Sequence, residues 1–285
     1  MILLLGGTTE ARLLLEQLIK ERMPVMFSTA YDFAAEFIDS LAAENPLVKH
    51  IAGKLDVDAM VVLIDSEKIA LVIDATHPFA TGVTENARVA CEIAGVSYLR
   101  VGRAVAGNSD YKNIEYVESM EEAARVAEGL AQGQSQAQAQ GRGAAIFIAT
   151  GSNQAGLFAE RIDISKHRVY IRVLPGDESV AKCLKAGFAP EQVITGVGPF
   201  SVEENERLWR SLGVTVVVTK ESGREGGFPE KVEAAKRLGV ALVVVERPRI
   251  VREDAVDADD DMDTGIEVSR VDEALVAIKR VISDA

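Results

Sequence analysis

Long apolar runs, cysteine, clustered histidine and an excess of basic residues are all missing from this chain, and each gap removes a class of protein. No segment approaches the roughly 18 consecutive apolar residues of a membrane-spanning helix, so no membrane role is expected. No basic region precedes an apolar stretch in the manner of a secretory leader, and a cytoplasmic location is expected. Cys91 and Cys183 are the only cysteines. They are far apart and each sits in a helix-like pattern, which excludes a disulfide framework and suits small buried hydrophobes. His50, His77 and His167 lie in separate segments without a partner at ligand spacing, so no metal site is expected. A formal charge of −13, from 31 Lys and Arg against 44 Asp and Glu, argues against nucleic acid as a partner.

Several catalytic signatures are missing too. There is no G-x-x-x-x-G-K-[ST], which disfavours a P-loop phosphotransferase. None of Tyr31, Tyr98, Tyr111, Tyr116 or Tyr170 is followed by Lys four positions on, which removes the usual acid of short-chain dehydrogenases. No G-x-S-x-G elbow occurs, and Ser, His and Asp fall in no triad order.

What is present is α/β alternation, repeated twice. With 285 residues, 48% of them hydrophobic and 26% charged, the chain has room for two cores. The expected fold is α/β, two Rossmann-like parallel-sheet domains with the active site in the cleft between them. The first domain is placed at 1–106 and the second at 107–285. The second includes an acidic linker at 252–265, rich in Asp from Asp254 to Asp263, and an amphipathic terminal helix from Val271 to Ile282. The Gln-rich stretch Gly129 to Gly143 reads as a surface loop, and Ser97 to Leu99 as the strand that closes the first sheet.

The chemistry is expected at strand ends, where open α/β sheets bind ligands. Ile2 to Leu5 is a buried strand, and Gly6 and Gly7 permit a tight turn. Thr8 or Thr9 then caps a helix that begins with Glu10. Strand, glycine turn and helix N-terminus together offer N–H groups and a positive dipole end to a phosphate; a plain βα turn is the other reading. Thr29, Tyr31 and Asp32 end the second strand, where a dinucleotide fold meets the ribose. Asp32 lies 25 residues past Gly7 and would favour a free 2′-hydroxyl, or is a turn aspartate. Asp74 to Ala80, D-A-T-H-P-F-A, puts polar residues on the end of the strand Leu71 to Ile73. Arg100 and Arg103 follow a strand as a solvated exit or a carboxylate clamp. In the second half, Thr150 and Gly151 end a strand, and Thr219 to Lys231 is a glycine-rich turn with Lys220, Ser222 and Arg224 at a helix N-terminus. It is an anion site or a long flexible loop.

Six motifs carry a resemblance to a known family. G-G-T-T-E-A-R at Gly6 to Arg12, D-A-T-H-P-F-A, G-P-F-S at Gly198 to Ser201, T-K-E-S-G at Thr219 to Gly223, G-G-F-P-E-K at Gly226 to Lys231 and E-R-P at Glu246 to Pro248 resemble, in order and spacing, the precorrin-6A reductases of cobalamin biosynthesis. The resemblance spans residues 1 to 249. It implies a two-domain Rossmann-like enzyme that uses NADPH or NADH to reduce one double bond of a corrin precursor, a cobalt-containing one in the anaerobic route. The Gln-rich stretch, Asp32 and the acidic C-terminal extension depart from the family pattern, and Asp32 bears on the cofactor phosphate.

On this reading His77 and Lys220 are the catalytic candidates. The dinucleotide is expected at Gly6, Gly7, Thr8, Thr9, Glu10, Thr29, Tyr31, Asp74, Thr76, Pro78 and Phe79, with Ser222, Gly223, Gly226 and Gly227 at its other end or on a substrate carboxylate. The anionic tetrapyrrole is expected at Arg100, Thr150, Gly151, Phe200, Ser201, Arg224 and Lys231, since an acidic protein needs local positive potential for a polyanion. A dinucleotide-sensing protein without catalysis, and a transferase on a similar scaffold, fit the residues alone. Monomer and small homo-oligomer are both open.

Overall fold

The computed structural model describes residues 1–30, 35–102, 109–137, 144–164, 166–248, 265–268 and 271–284. They form two compact units, 1–104 with 249–285, and 105–248. Among the described residues no helix is long and apolar enough to cross a membrane.

In the first unit, strands β1 (Ile2–Leu5), β2 (Val25–Thr29), β3 (Val48–Ala52), β4 (Leu71–Asp74) and β5 (Ser97–Val101) alternate with helices α1 (Thr9–Lys20), α2 (Ala35–Glu44), α3 (Val57–Ser66) and α4 (Thr81–Ala94). A final strand, β12 (Gly265–Val268), and helix α10 (Val271–Asp284) return to the same unit. All strand pairs are parallel, in the order β12-β5-β4-β1-β2-β3. The chain walks outward from β1 through β2 to β3, then jumps back to β4. The switch point, where α/β sheets open a ligand crevice, lies between β1 and β4.

The strands are apolar throughout because both faces are covered. Ile2, Leu4, Phe27, Leu71, Ile73 and Leu99 pack with Leu14, Leu15 and Leu18 of α1 and Ala274 and Ile278 of α10. Leu3, Leu5, Met26, Val72 and Tyr98 point the other way, onto Met60 and Ile64 of α3 and Ala87, Ala90 and Cys91 of α4. Cys183, in the second unit, is buried as well, so both cysteines are the small core residues expected.

The second unit holds β6 (Ile114–Val117), α5 (Met120–Ala137), β7 (Ala145–Ala149), α6 (Ala155–Arg161), β8 (Arg168–Val173), α7 (Asp177–Lys185), β9 (Val193–Thr195), α8 (Val202–Leu212), β10 (Val216–Lys220), α9 (Phe228–Leu238) and β11 (Ala241–Val245). The parallel order β6-β11-β10-β7-β8-β9 repeats the first sheet's logic, with a switch point between β7 and β10. Phe147, Val217, Leu242 and Val244 pack there against Trp209, Phe228, Ala234 and Ala235.

Three expectations are corrected. The terminal helix, assigned to the second domain, belongs to the first unit. The edge of β5 is paired by β12 instead of closing the sheet, Ile266 opposite Leu99, and α10 covers the apolar stripe left beside α1. The acidic stretch 252–264 lies outside the described residues. The Gln-rich stretch is helical as far as Ala137, because Ala and Gln are good helix formers and no proline interrupts them. Its remainder, 138–143, lies outside the described residues.

Candidate functional site

At the first switch point each motif is positioned by the strand before it. Gly6 must lack a side chain, since a Cβ there would sit 2.2 Å from the Phe27 ring. Gly7 turns at φ +104, with nothing within 4 Å of a Cβ built on it, so the backbone is open to close approach by a ligand. Thr8 caps α1: its hydroxyl accepts from the Ala11 N–H at 3.1 Å and donates to the Ala75 carbonyl at 2.7 Å. That second bond joins the glycine turn to the motif that follows β4.

In that motif Asp74 is fully buried. Its carboxylate accepts from the Thr76 N–H at 3.0 Å, the Thr76 hydroxyl at 2.6 Å, the Thr84 hydroxyl at 2.7 Å and the Tyr98 hydroxyl at 3.0 Å. The Arg100 guanidinium completes the cage at 2.5 Å. Burial, then the neighbouring carboxylate, push the Tyr98 hydroxyl upward, so it stays protonated as a donor. Arg100, expected to face the substrate, therefore points inward, donating also to the Thr76 carbonyl and to the Thr76 and Thr84 hydroxyls. It lies in β5 rather than after it, directly opposite Asp74 of β4.

His77 to Ala80 form a turn closed by Ala80 N–H to the His77 carbonyl at 2.8 Å, with Pro78 at its second position. The His77 Nδ1 accepts from the Phe79 N–H at 3.2 Å. That bond places the neutral ring's proton on Nε2. The Phe79 ring stands 5.8 Å from the imidazole. Between these turns and the ends of β2 and β3 lies a crevice of about 270 Å³, lined among others by Gly6, Ser28, Ala30, Gly53, Lys54, Thr76, Gly82 and Asn86. The Asn86 amide donates to the Leu55 carbonyl at 3.2 Å and ties α4 to the turn after β3. Thr29 is buried and its hydroxyl meets His50 Nε2 at 2.9 Å, while His50 Nδ1 meets Asp39 at 2.6 Å. Tyr31 and Asp32 lie outside the described residues, as does Arg103. Glycines with no periodic signal, Gly53 and Gly82, and the lone Lys54 were not legible as site residues. Their position after a strand or at a helix start was the only available cue.

At the second switch point two loops meet. The Gly196 to Ser201 loop folds its Phe200 ring back over Gly196, where a Cβ would lie 2.8 Å away, and onto the Arg172 guanidinium at 3.9 Å. Arg172 donates to Asn205 at 3.0 Å, and the Asn205 amide donates to the carbonyls of Phe200 and Ser201. Phe200 is thus committed to its own loop. Ser201 caps α8, accepting from the Glu204 N–H at 3.1 Å in a capping box. Pro199 of this loop comes within 3.4 Å of a Cβ built on Gly227, so it rests on the β10 to α9 loop.

In the β10 to α9 loop Ser222 donates to the Gly226 carbonyl at 3.1 Å and leaves no room for a side chain at Gly226. Gly223 and Gly227 adopt φ +73 and +68. Lys231 turns under the loop and donates to the carbonyls of Gly226 and Gly227 at 2.7 and 3.2 Å. Burial first, then the Arg172 charge, lower its pKa to about 7. Burial lowers Lys220 to about 8 and Arg172 to about 10. Arg224 is exposed. Arg247 pairs with Glu221, whose carboxylate also accepts from the Gly223 N–H at 3.2 Å. Thr150 and Gly151 directly follow β7, and Lys220 is the last residue of the neighbouring β10. Arg172 and Asn205, which hold the loops, lie one residue from the end of β8 and in the first turn of α8, where no motif marks them.

A wider hollow of about 430 Å³ runs along α8, lined by Glu203, Glu206, Arg207, Arg210 and Ser211. Arg210 pairs with Glu206 and Arg237 with Glu203, and such exposed pairs are ordinary surface.

With this geometry in view, the family model described as Precorrin-6x reductase CbiJ/CobK matches residues 1–278. The chain belongs to this family. As a precorrin-6x reductase family member it is an oxidoreductase, reducing a carbon–carbon double bond with a nicotinamide cofactor. The chain is 36% identical over 251 residues to a cobalt-precorrin-6A reductase of Priestia megaterium, covering 88% of this chain and 91% of that one. A precorrin-6A reductase of a Sinorhizobium species is 30% identical over 86% of this chain and 84% of its own. A solved structure of CobK precorrin-6A reductase, 25% identical, superposes with a TM-score of 0.69 over 98% of this chain and 96% of that one. The two-sheet architecture is therefore the family's.

Proposed function

We propose that this family member converts precorrin-6A, or its cobalt complex, to the 6B form in cobalamin biosynthesis, using NADPH or NADH. The observation that carries this reading is the contrast between the two switch points. The first is a crevice of glycines, hydroxyls and small side chains, the lining that a flat dinucleotide with a diphosphate needs. The second gathers Lys220, Lys231 and Arg172 in an otherwise acidic protein, an environment for a ring edged with carboxylates.

The residues of the first unit fit the dinucleotide, because Gly7 leaves the backbone open, Gly6 lets the turn pack on the Phe27 ring and the Thr8 cap fixes the helix end. Gly6 to Glu10 and Thr76 to Phe79 hold it; Asp74 and Thr29, expected to touch it, are buried and instead support the loops that do. When bound, the dinucleotide supplies the hydride. The chain's own part is then to orient two flat molecules, exclude water and manage one proton. Lys220, whose pKa burial lowers to about 8, and His77 are the candidate donors of that proton. Ser222, Gly223, Gly226, Gly227, Arg224 and Lys231 shape or charge the substrate edge. Phe200 and Ser201 hold their loop in place, and Arg100 acts through Asp74. Lys54 and Asp32 pull the cofactor choice in opposite senses, toward and away from a 2′-phosphate.

Loss of reduced-nicotinamide absorbance with precorrin-6A and with its cobalt complex, run with NADH and NADPH in parallel, tests the reading. Turnover with at least one pair is expected. Binding of dinucleotide without turnover of either tetrapyrrole would overturn it.

A further inference from the structure

Unit 2 keeps several polar atoms buried with no hydrogen-bond partner among the described residues, including Thr150 Oγ1, His167 Nδ1 and Trp209 Nε1. Such an atom forfeits its hydration and gains nothing in return, so each needs a reason. His167 precedes β8 and Trp209 lies in the last turns of α8, both toward the amino ends of the strands, away from the ligand-binding edge of an open α/β sheet. Thr150 is different. It directly follows β7, at the carboxyl edge beside the switch point, and is only 6% exposed. The chain swings away at once through Gly151, at φ +85. The pairing of β7 with β10 ends at Ala149 with Thr219, so Thr150 and Lys220 are the next residues along two neighbouring chains at the carboxyl edge.

We propose that the Thr150 hydroxyl is a ligand-contacting donor which, with Lys220 beside it, holds a carboxylate arm of the tetrapyrrole. The inference deepens the function proposed above and rests on it. A hydroxyl is both donor and acceptor, but next to an ammonium group the partner it lacks is an anionic oxygen, and a charge-assisted bond is the stronger kind. A dinucleotide phosphate is the competing anion, and the test separates the two.

Thr150→Val keeps the shape and deletes the hydroxyl; Thr150→Ser keeps the hydroxyl. In ligand-free protein the valine variant should unfold at the parent's temperature or above it, because no internal bond is lost. Its dissociation constant for precorrin-6A should rise about tenfold or more, with dinucleotide affinity unchanged, and the serine variant should bind as the parent does. A lower unfolding temperature with unaltered tetrapyrrole affinity would show the hydroxyl to be structural and overturn the proposal. Weakened dinucleotide binding in the valine variant would overturn it in favour of a phosphate contact. A parent protein that fails to bind the tetrapyrrole removes the function reading and this inference together, whereas a parent that binds and a valine variant that binds equally well removes this inference alone.

Discussion

The guanidinium of Arg100 lies 2.5 Å from the carboxylate of Asp74, and the two side chains are 7% and 0% exposed. A buried pair of this kind adds little over an apolar substitute, yet removing one partner strands the other charge out of water. Arg100→Met is expected to destabilise the protein by about 3–5 kcal/mol. Asp74→Asn in the same chain should recover part of that loss, because the stranded charge is then gone. Urea unfolding of the two single variants and the double variant gives the coupling directly. Additive single effects would mean that the pair does not hold the β4 motif.

A second chain of contacts supports the end of the crevice formed by β2 and β3. Asp39 of α2, His50 of β3 and Thr29 of β2 are linked at 2.6 and 2.9 Å. The carboxylate fixes the proton on Nδ1, so the neutral ring accepts the Thr29 hydroxyl at Nε2. Ser28 and Ala30, on either side of Thr29, line the crevice. His50→Phe fills the space but leaves the hydroxyl unsatisfied, a loss of about 1–3 kcal/mol in stability. Calorimetric titration should show dinucleotide affinity reduced severalfold, with kcat at saturation unchanged. A fall in kcat with intact affinity would place His50 in the chemistry instead.

Gly226 tests the second loop. A Cβ there would stand 2.3 Å from the Ser222 hydroxyl and 2.7 Å from the Ser222 carbonyl, closer than atoms tolerate. Gly226→Ala must therefore move the loop, and with it the carbonyl that Lys231 holds. KM for the tetrapyrrole should rise tenfold or more. Combining it with Ser222→Gly, which clears the obstructing side chain, should restore part of the loss. Equal KM values in parent and single variant would show that this loop lies off the substrate.

Strand ends and their glycine turns were readable from the sequence because both signals are local: an apolar run stopped by Gly, Thr or Asp. β1 and β4 match the expected boundaries closely for that reason. β12 was not readable. Its four residues, G-I-E-V, pair with a strand more than 160 positions earlier in the chain, and no local pattern announces a partner that distant. The same limit hid Arg172, which reads as an outward position on a strand until Phe200 and Asn205 are brought over it from other elements. Arg100 failed in the opposite sense. A charge at a strand end suggests a ligand contact, but here its counter-ion is internal.

Lys231 provides the pH signature of the second site. Burial and the Arg172 charge hold its folded pKa at about 7, whereas an unfolded lysine titrates near about 10.4. Between those values the unfolded chain binds more protons than the folded one, so stability rises with pH by up to about 1.4 kcal/mol per unit from this group. Below pH 7 both states carry the proton and the gain is lost. Lys231→Met removes this contribution, so the stability of the parent relative to the variant should climb from pH 7 to pH 10 and then level off. Arg172→Met takes away the neighbouring charge that helps to lower Lys231, and the climb should begin at higher pH in that background. Urea unfolding across the range measures both. A parent-to-variant difference that stays flat with pH would mean that Lys231 keeps its proton throughout and that the loop is held by a permanent ammonium.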